Sequence, residues 1–139
     1  MDYIMELRLH FKNAYPEYSV SGSIYYGYMD MTYFSLFPES LKTRKLKIAV
    51  VFIHDTCRFE VWLSGVNKEV QTRYWRLFKE NGWDRYRIPP TTKGVDSIIE
   101  CTLVEDPDFS NLPALTEQIE SGTVRFIEDI EDFLSKHED

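Results

Sequence analysis

Three carboxylates in the 139-residue chain have the type and setting to hold a hard cation. Glu60 alternates with Arg58 and Trp62 in RFEVWLS. Asp30 interrupts the aromatic run GYMDMTYF. Glu6 lies in the first amphipathic segment. Mg²⁺ takes oxygen ligands, and such a site activates water for phosphodiester hydrolysis. That reading brings Asp30 and Glu60, with Glu6 as an optional third ligand, to one metal position, and it fails if Asp30 and Glu60 face opposite sides of a sheet. The competing reading is an Arg58–Glu60 ion pair at a sheet edge with Asp30 turned outward, because a lone buried charge is costly.

A second constellation is suited to binding without catalysis. In residues 73–87, RYWRLFKENGWDRYR, four arginines and one lysine interleave with four Tyr and Trp side chains. Aromatic faces beside Arg and Lys stack bases or sugars while the cations meet phosphates. The candidate contact residues are Arg58, Trp62, Arg73, Arg76, Trp83, Arg85, Tyr86 and Arg87. The alternative is amphipathic packing, with ring bodies buried and polar tips wet. An exposed patch of Arg73, Arg76, Arg85 and Trp83 supports a nucleic-acid partner. Pairing of those arginines with C-terminal acids removes it.

Other chemistries lack their parts. Neither GxxxxGK[ST] nor GxGxxG occurs, so no phosphate or dinucleotide loop is marked. The three histidines, His10, His54 and His137, are too scattered for a zinc site of His and Cys. His54 precedes Asp55 and stands three residues before Cys57, but adjacency at a turn does not orient an imidazole toward a sulfur. Cys57 and Cys101 both fall in strand-like runs and read as reduced packing residues of a cytoplasmic protein.

These residues need elements to position them. Ile4, Leu7 and Phe11 recur at helical spacing, predicting a helix over 2–14. Residues 24–37 read as one long strand, or two joined near Gly27. Residues 41–46 suit a short helical turn. LKIAVVFI (46–53) is a near-continuous apolar run, as in a central strand covered on both faces. Residues 57–64 alternate, with Phe59, Val61 and Leu63 on one face and Arg58, Glu60 and Trp62 on the other. Helical periodicity returns over 66–80 and stops at Asn81-Gly82. Residues 97–104 form another strand. A last helix starts near Ser110 or Asn111, with Pro113 in its first turn and a bend expected at Ser121-Gly122. The order α-β-β-β-α-β-α predicts one α+β domain with a central mixed sheet of about four strands and helices packed on it.

Composition agrees: 43% hydrophobic and 28% charged residues exclude a disordered chain, and no apolar run approaches the about 20 residues of a membrane span. The net charge of -7 is unevenly spread. Residues 40–93 hold 12 basic and 5 acidic groups, whereas residues 100–139 hold 2 basic and 12 acidic. Either the acidic tail neutralises the basic middle within one domain, or the basic segment faces an anionic partner.

At GYMDMTYF (27–34), RFEVWLSG (58–65) and KGVDSIIE (93–100) the whole chain resembles a bacterial family of small cytoplasmic proteins of unknown function. The resemblance implies no catalytic residues, and it implies an N-terminal extension ahead of the first helix. The element order is also similar to the PD-(D/E)XK restriction-endonuclease-like core, whose Mg²⁺-binding (D/E)xK would fall on Glu60-Val61-Trp62, with Trp62 in place of the lysine. The expectation is a non-catalytic binding module without cofactor, its partner a nucleic acid or a protein. The alternatives are a divergent Mg²⁺-dependent nuclease or phosphodiesterase, and a homodimeric structural protein.

Overall fold

The structure is a computed structural model that describes residues 2–21, 25–27, 31–93 and 95–138. Its elements run α1 (Asp2–Ala14), a 3-10 turn (Pro16–Tyr18), β1 (Tyr25–Gly27), β2 (Met31–Leu36), α2 (Glu39–Lys42), β3 (Leu46–Ile53), β4 (Arg58–Gly65), α3 (Lys68–Glu80), β5 (Ile99–Glu105) and α4 (Leu112–His137). The fold is α+β, as expected.

The strands form a five-stranded sheet in the order β1-β2-β3-β4-β5. Every pairing is antiparallel, so the expected mixed sheet is corrected. The apolar run of β3 suggested the two-sided burial typical of parallel strands. It is central, but its cover differs on the two faces. The fifth strand arises because the second of the two alternatives for 24–37 holds, with Tyr25–Gly27 and Met31–Leu36 as separate strands.

Period-two alternation decides the faces. Ile48, Val50 and Phe52 of β3 stand opposite Leu63, Val61 and Phe59 of β4, and Ile48 and Val50 stand opposite Leu36 and Phe34 of β2. These side chains form one core with Ile4, Leu7 and Phe11 of α1, Tyr74 and Phe78 of α3, and Leu115, Ile119, Phe126, Ile127, Ile130 and Leu134 of α4. The helices therefore share one face of the sheet. The other face carries Tyr33, Lys47, Ala49, Val51, Glu60, Trp62 and Ser64.

Local signals explain the element ends. The Asn67 side chain caps α3 by accepting from the Val70 N–H at 2.9 Å, and Asn111 caps α4 through the Ala114 N–H. Gly82 takes φ +70 just past α3, in the left-handed region that ends helices. A register shift at Phe59/Glu60 leaves Leu103 as an extra residue on β5. Its side chain reaches α4 at Gly122, where an added Cβ would lie 2.6 Å from Leu103 Cδ2. Gly122 thus lets α4 approach the bulge, and α4 runs as one helix through the expected bend.

Cys57 departs from expectation. It lies in the β3–β4 turn, exposed and at φ 50, not packed in a strand. Cys101 is half-buried on β5, and both thiols are free. Among the described residues, no helix is long and apolar enough to cross a membrane.

A candidate binding site on the open sheet face

Small residues in β3 and large ones on its neighbours create a hollow on the face away from the helices. Ala49 stands opposite Trp62 of β4, and Val51 stands opposite Tyr33 of β2. Ala49 and Val51 are buried, whereas Tyr33 and Trp62 are half-buried. The result is a cavity of about 330 Å³ with an apolar floor, two aromatic walls and Lys47 at one end. Small-molecule sites begin at about 300 Å³.

The rim comes from the loop before β5 and from the start of α3. Lys68 Nζ donates to Thr92 O at 2.9 Å and to Val95 O at 3.2 Å. Gln71 Nε2 donates to Val95 O at 2.5 Å, and Ser64 Oγ to Asp96 O at 2.8 Å. These bonds fasten the loop beside the sheet. Gly65 brings α3 close: a Cβ there would lie 2.7 Å from the backbone nitrogen of Gln71.

Glu60 holds one wall in place. Its Oε1 accepts from Trp62 Nε1 at 2.7 Å, and its Oε2 lies 2.5 Å from Arg58 Nε. The arginine contact is an ion pair whose N–H is not aligned as a hydrogen bond. Glu60 is 4% exposed, so its charge needs both partners. The Arg58–Glu60 pair anticipated from alternation is present, and its further effect is to orient the indole. Lys47 forms no ion pair among the described residues, which leaves its charge available at the cavity.

Glu6 and Glu60 do not gather. Glu6 is exposed on α1, whose Tyr3 ring packs against Phe59 on the helix-covered side of β4. Glu60 projects from the opposite side of that strand, so the two cannot share an ion. Asp30 lies outside the described residues. No group of three His, Cys, Asp or Glu side chains able to hold a metal occurs among the described residues. His54 Nε2 is engaged with Thr32 Oγ1 at 2.7 Å, and no hydrogen bond among the described residues joins its ring to Cys57.

The basic aromatic segment is largely internal bookkeeping of charge and packing. Arg85 Nη1 donates to Asp129 Oδ1 at 2.7 Å, and Tyr86 Oη to Asp129 Oδ2 at 2.5 Å. Burial, then that hydrogen bond, pushes the Tyr86 phenol far above its usual range. Arg73 Nη2 lies 3.3 Å from Glu138 Oε2, and Arg87 Nη1 2.9 Å from Glu100 Oε1. Trp83 packs edge-on against both rings of the stacked Phe78–Phe133 pair, its centroid 5.0 Å from each. Arg76 is exposed and forms no ion pair among the described residues; it lines a shallow cavity beside Glu80 and Glu138. The exposed patch of Arg73, Arg76, Arg85 and Trp83 is thus not present as a free cationic platform. Of the expected contact residues, only Trp62 lines the sheet-face hollow.

Lys47, Lys68, Gln71 and Asp96 escaped the sequence reading. Lys47 had a signal, since it is the one charge inside an otherwise apolar strand. Lys68 and Gln71 stand in the first turns of α3 and Asp96 in the α3–β5 connection, and periodicity does not say that these meet the open sheet face.

Residues 1–134 match the model of one protein family, described as Domain of unknown function (DUF7000). No curated protein and no solved structure matches the chain.

Proposed function

We propose that this chain, which belongs to the DUF7000 family of domains of unknown function, is a non-catalytic binding module whose ligand sits on the open sheet face. The ligand is a small molecule that joins a flat apolar ring to an anionic group. The observation that carries this reading is the cavity bounded by Tyr33, Trp62 and Lys47. Its floor is the buried Ala49 and Val51, its walls offer aromatic faces to a ring, and Lys47 answers a negative charge. The absence of a three-ligand metal cluster among the described residues leaves the nuclease reading without support there. A long nucleic acid is disfavoured because Arg73, Arg85 and Arg87 are already paired. The free thiols of Cys57 and Cys101 support a reducing, cytoplasmic setting.

The probe is anilinonaphthalene sulfonate, an aromatic anion whose fluorescence rises on binding. We expect saturable binding of one molecule per chain. Trp62→Ala should weaken it about tenfold or more, since one lost aromatic stack is worth about 1–3 kcal/mol. Lys47→Gln should weaken it less, and the difference should shrink in salt. Thermal melts of both variants establish that they remain folded. Titrations that neither substitution changes would sink the proposal.

A further inference from the structure

A carboxylate is already bound elsewhere on this molecule, and it belongs to the chain itself. Glu138 follows the last residue of α4, where an acidic side chain ordinarily stays in water, yet its side chain is only 13% exposed. Arg44 Nε lies 2.5 Å from Glu138 Oε1, and Arg73 Nη2 lies 3.3 Å from Oε2. The buried Tyr74 lines the same cavity as this carboxylate. Arg44 is itself held by donation from Nη1 to Ser40 O at 2.6 Å.

The surroundings carry more positive charge than one carboxylate answers. The cavity here, about 540 Å³, is lined by Arg44, Lys45 and Arg73, against Glu69 and Glu138. Removing Glu138 from the site leaves three cations facing one acid. Two guanidinium groups and a phenol then present several N–H and O–H donors toward one point. A phosphate monoester brings close to two negative charges and three acceptor oxygens, which suits that set better than a singly charged carboxylate.

We propose that Arg44, Arg73 and Tyr74 form a binding site for a phosphate monoester, and that Glu138 occupies this site in cis until a phosphate displaces it. Glu138 has extended backbone (φ -126, ψ 130) beyond the helix, so its side chain can leave without unwinding α4. A tethered competitor acts at an effective concentration of about millimolar, and it lowers the apparent affinity by the fraction of time the site is free. The site is separate from the sheet-face cavity, with which it shares only Asn67 as a lining residue.

The test titrates inorganic phosphate and methyl phosphate, which has no ring for the sheet-face cavity, into the full chain, following the arginine Nε–H resonances by NMR. Glu138→Gln keeps the side-chain shape and removes the charge. It should bind both probes about tenfold more tightly than the unaltered chain. Adding Arg73→Ala to Glu138→Gln should abolish the gain, and so should adding Arg44→Lys, which keeps the charge but loses the fork. Trp62→Ala should leave phosphate binding unchanged. Equal binding by the unaltered chain and Glu138→Gln would overturn the proposal, as would no binding by either. So would a gain that survives Arg73→Ala, or phosphate binding that Trp62→Ala removes. Matching amide spectra of the variants away from the site exclude unfolding as the cause.

Discussion

Glu60 illustrates how a residue's chemistry depends on what it meets. Its type and its strand position suit a metal ligand, yet both oxygens are taken, one by the Trp62 indole and one by Arg58. Removing its charge should therefore disturb Trp62 before anything else. Glu60→Gln is expected to shift the emission of Trp62 and to weaken probe binding at the sheet face, with Mg²⁺ making no difference in either protein. The cysteines give an independent residue-scale prediction. Burial raises the Cys101 thiol pKa, whereas Cys57 is exposed in a turn. Since the thiolate is the reacting species, Cys57 should react first with a disulfide reagent. Two phases should appear, and Cys57→Ser should delete the fast one. A single phase lost from Cys101→Ser would contradict this placement.

Elements followed from the sequence where a period governed them. The apolar stripes of α1, α3 and α4 and the alternation in β4 are legible because each needs only one buried face. The direction of strand pairing is not a matter of period, and the antiparallel sheet arises from where the connections return the chain. The binding hollow was illegible for the same reason. It needs Tyr33, Ala49 and Trp62 side by side on three strands, and register alone brings them together. At the α3 junction, Gly65 has no room for a side chain against the Gln71 backbone. Gly65→Ala should cost about 1–3 kcal/mol, the usual penalty of overpacking, read as a lower urea midpoint. The contact between α1 and α4 responds to acid. The Tyr15 hydroxyl donates to Glu120 at 2.7 Å and holds that carboxyl below its ordinary 4.5; burial opposes this, and His10 adds to the lowering. A folded-state value below the unfolded one stabilises the protein above 4.5, and the stabilisation fades as pH falls through the folded value. Tyr15→Phe should reduce that part of the acid sensitivity. Unfolding midpoints measured above and below 4.5 should then differ less than in the unaltered chain.

For the whole molecule, the uneven charge is resolved by folding. Acids of the last helix and its end meet arginines of the basic middle at Arg85–Asp129, Arg44–Glu138 and Arg73–Glu138. The first of the two readings of the charge layout is therefore the one the fold uses at these pairs. The aromatic surplus is likewise spent inward: Phe78 stacks on Phe133 at 4.5 Å, and Trp83 closes the cluster. Phe78 is fully buried, so Phe78→Ala should cost about 3–5 kcal/mol. Among the described residues the exposed large apolar side chains are Met5, Leu9, Val66 and Phe109, with a single aromatic among them, unlike the aromatic centre of a homodimer interface. Light scattering should accordingly return the mass of one chain. The position of α4 has a consequence for how the protein is made. Synthesis delivers the strands in the order in which they pair, so the sheet can assemble as it leaves the ribosome. The first helix can pack Phe11 on Phe34 and Tyr3 on Phe59 early, but the rest of the apolar face must then wait for the 26-residue α4 to cover it. During that interval the nascent chain offers a bare hydrophobic surface, which makes it a client for chaperones and a source of aggregates whenever translation stalls before α4.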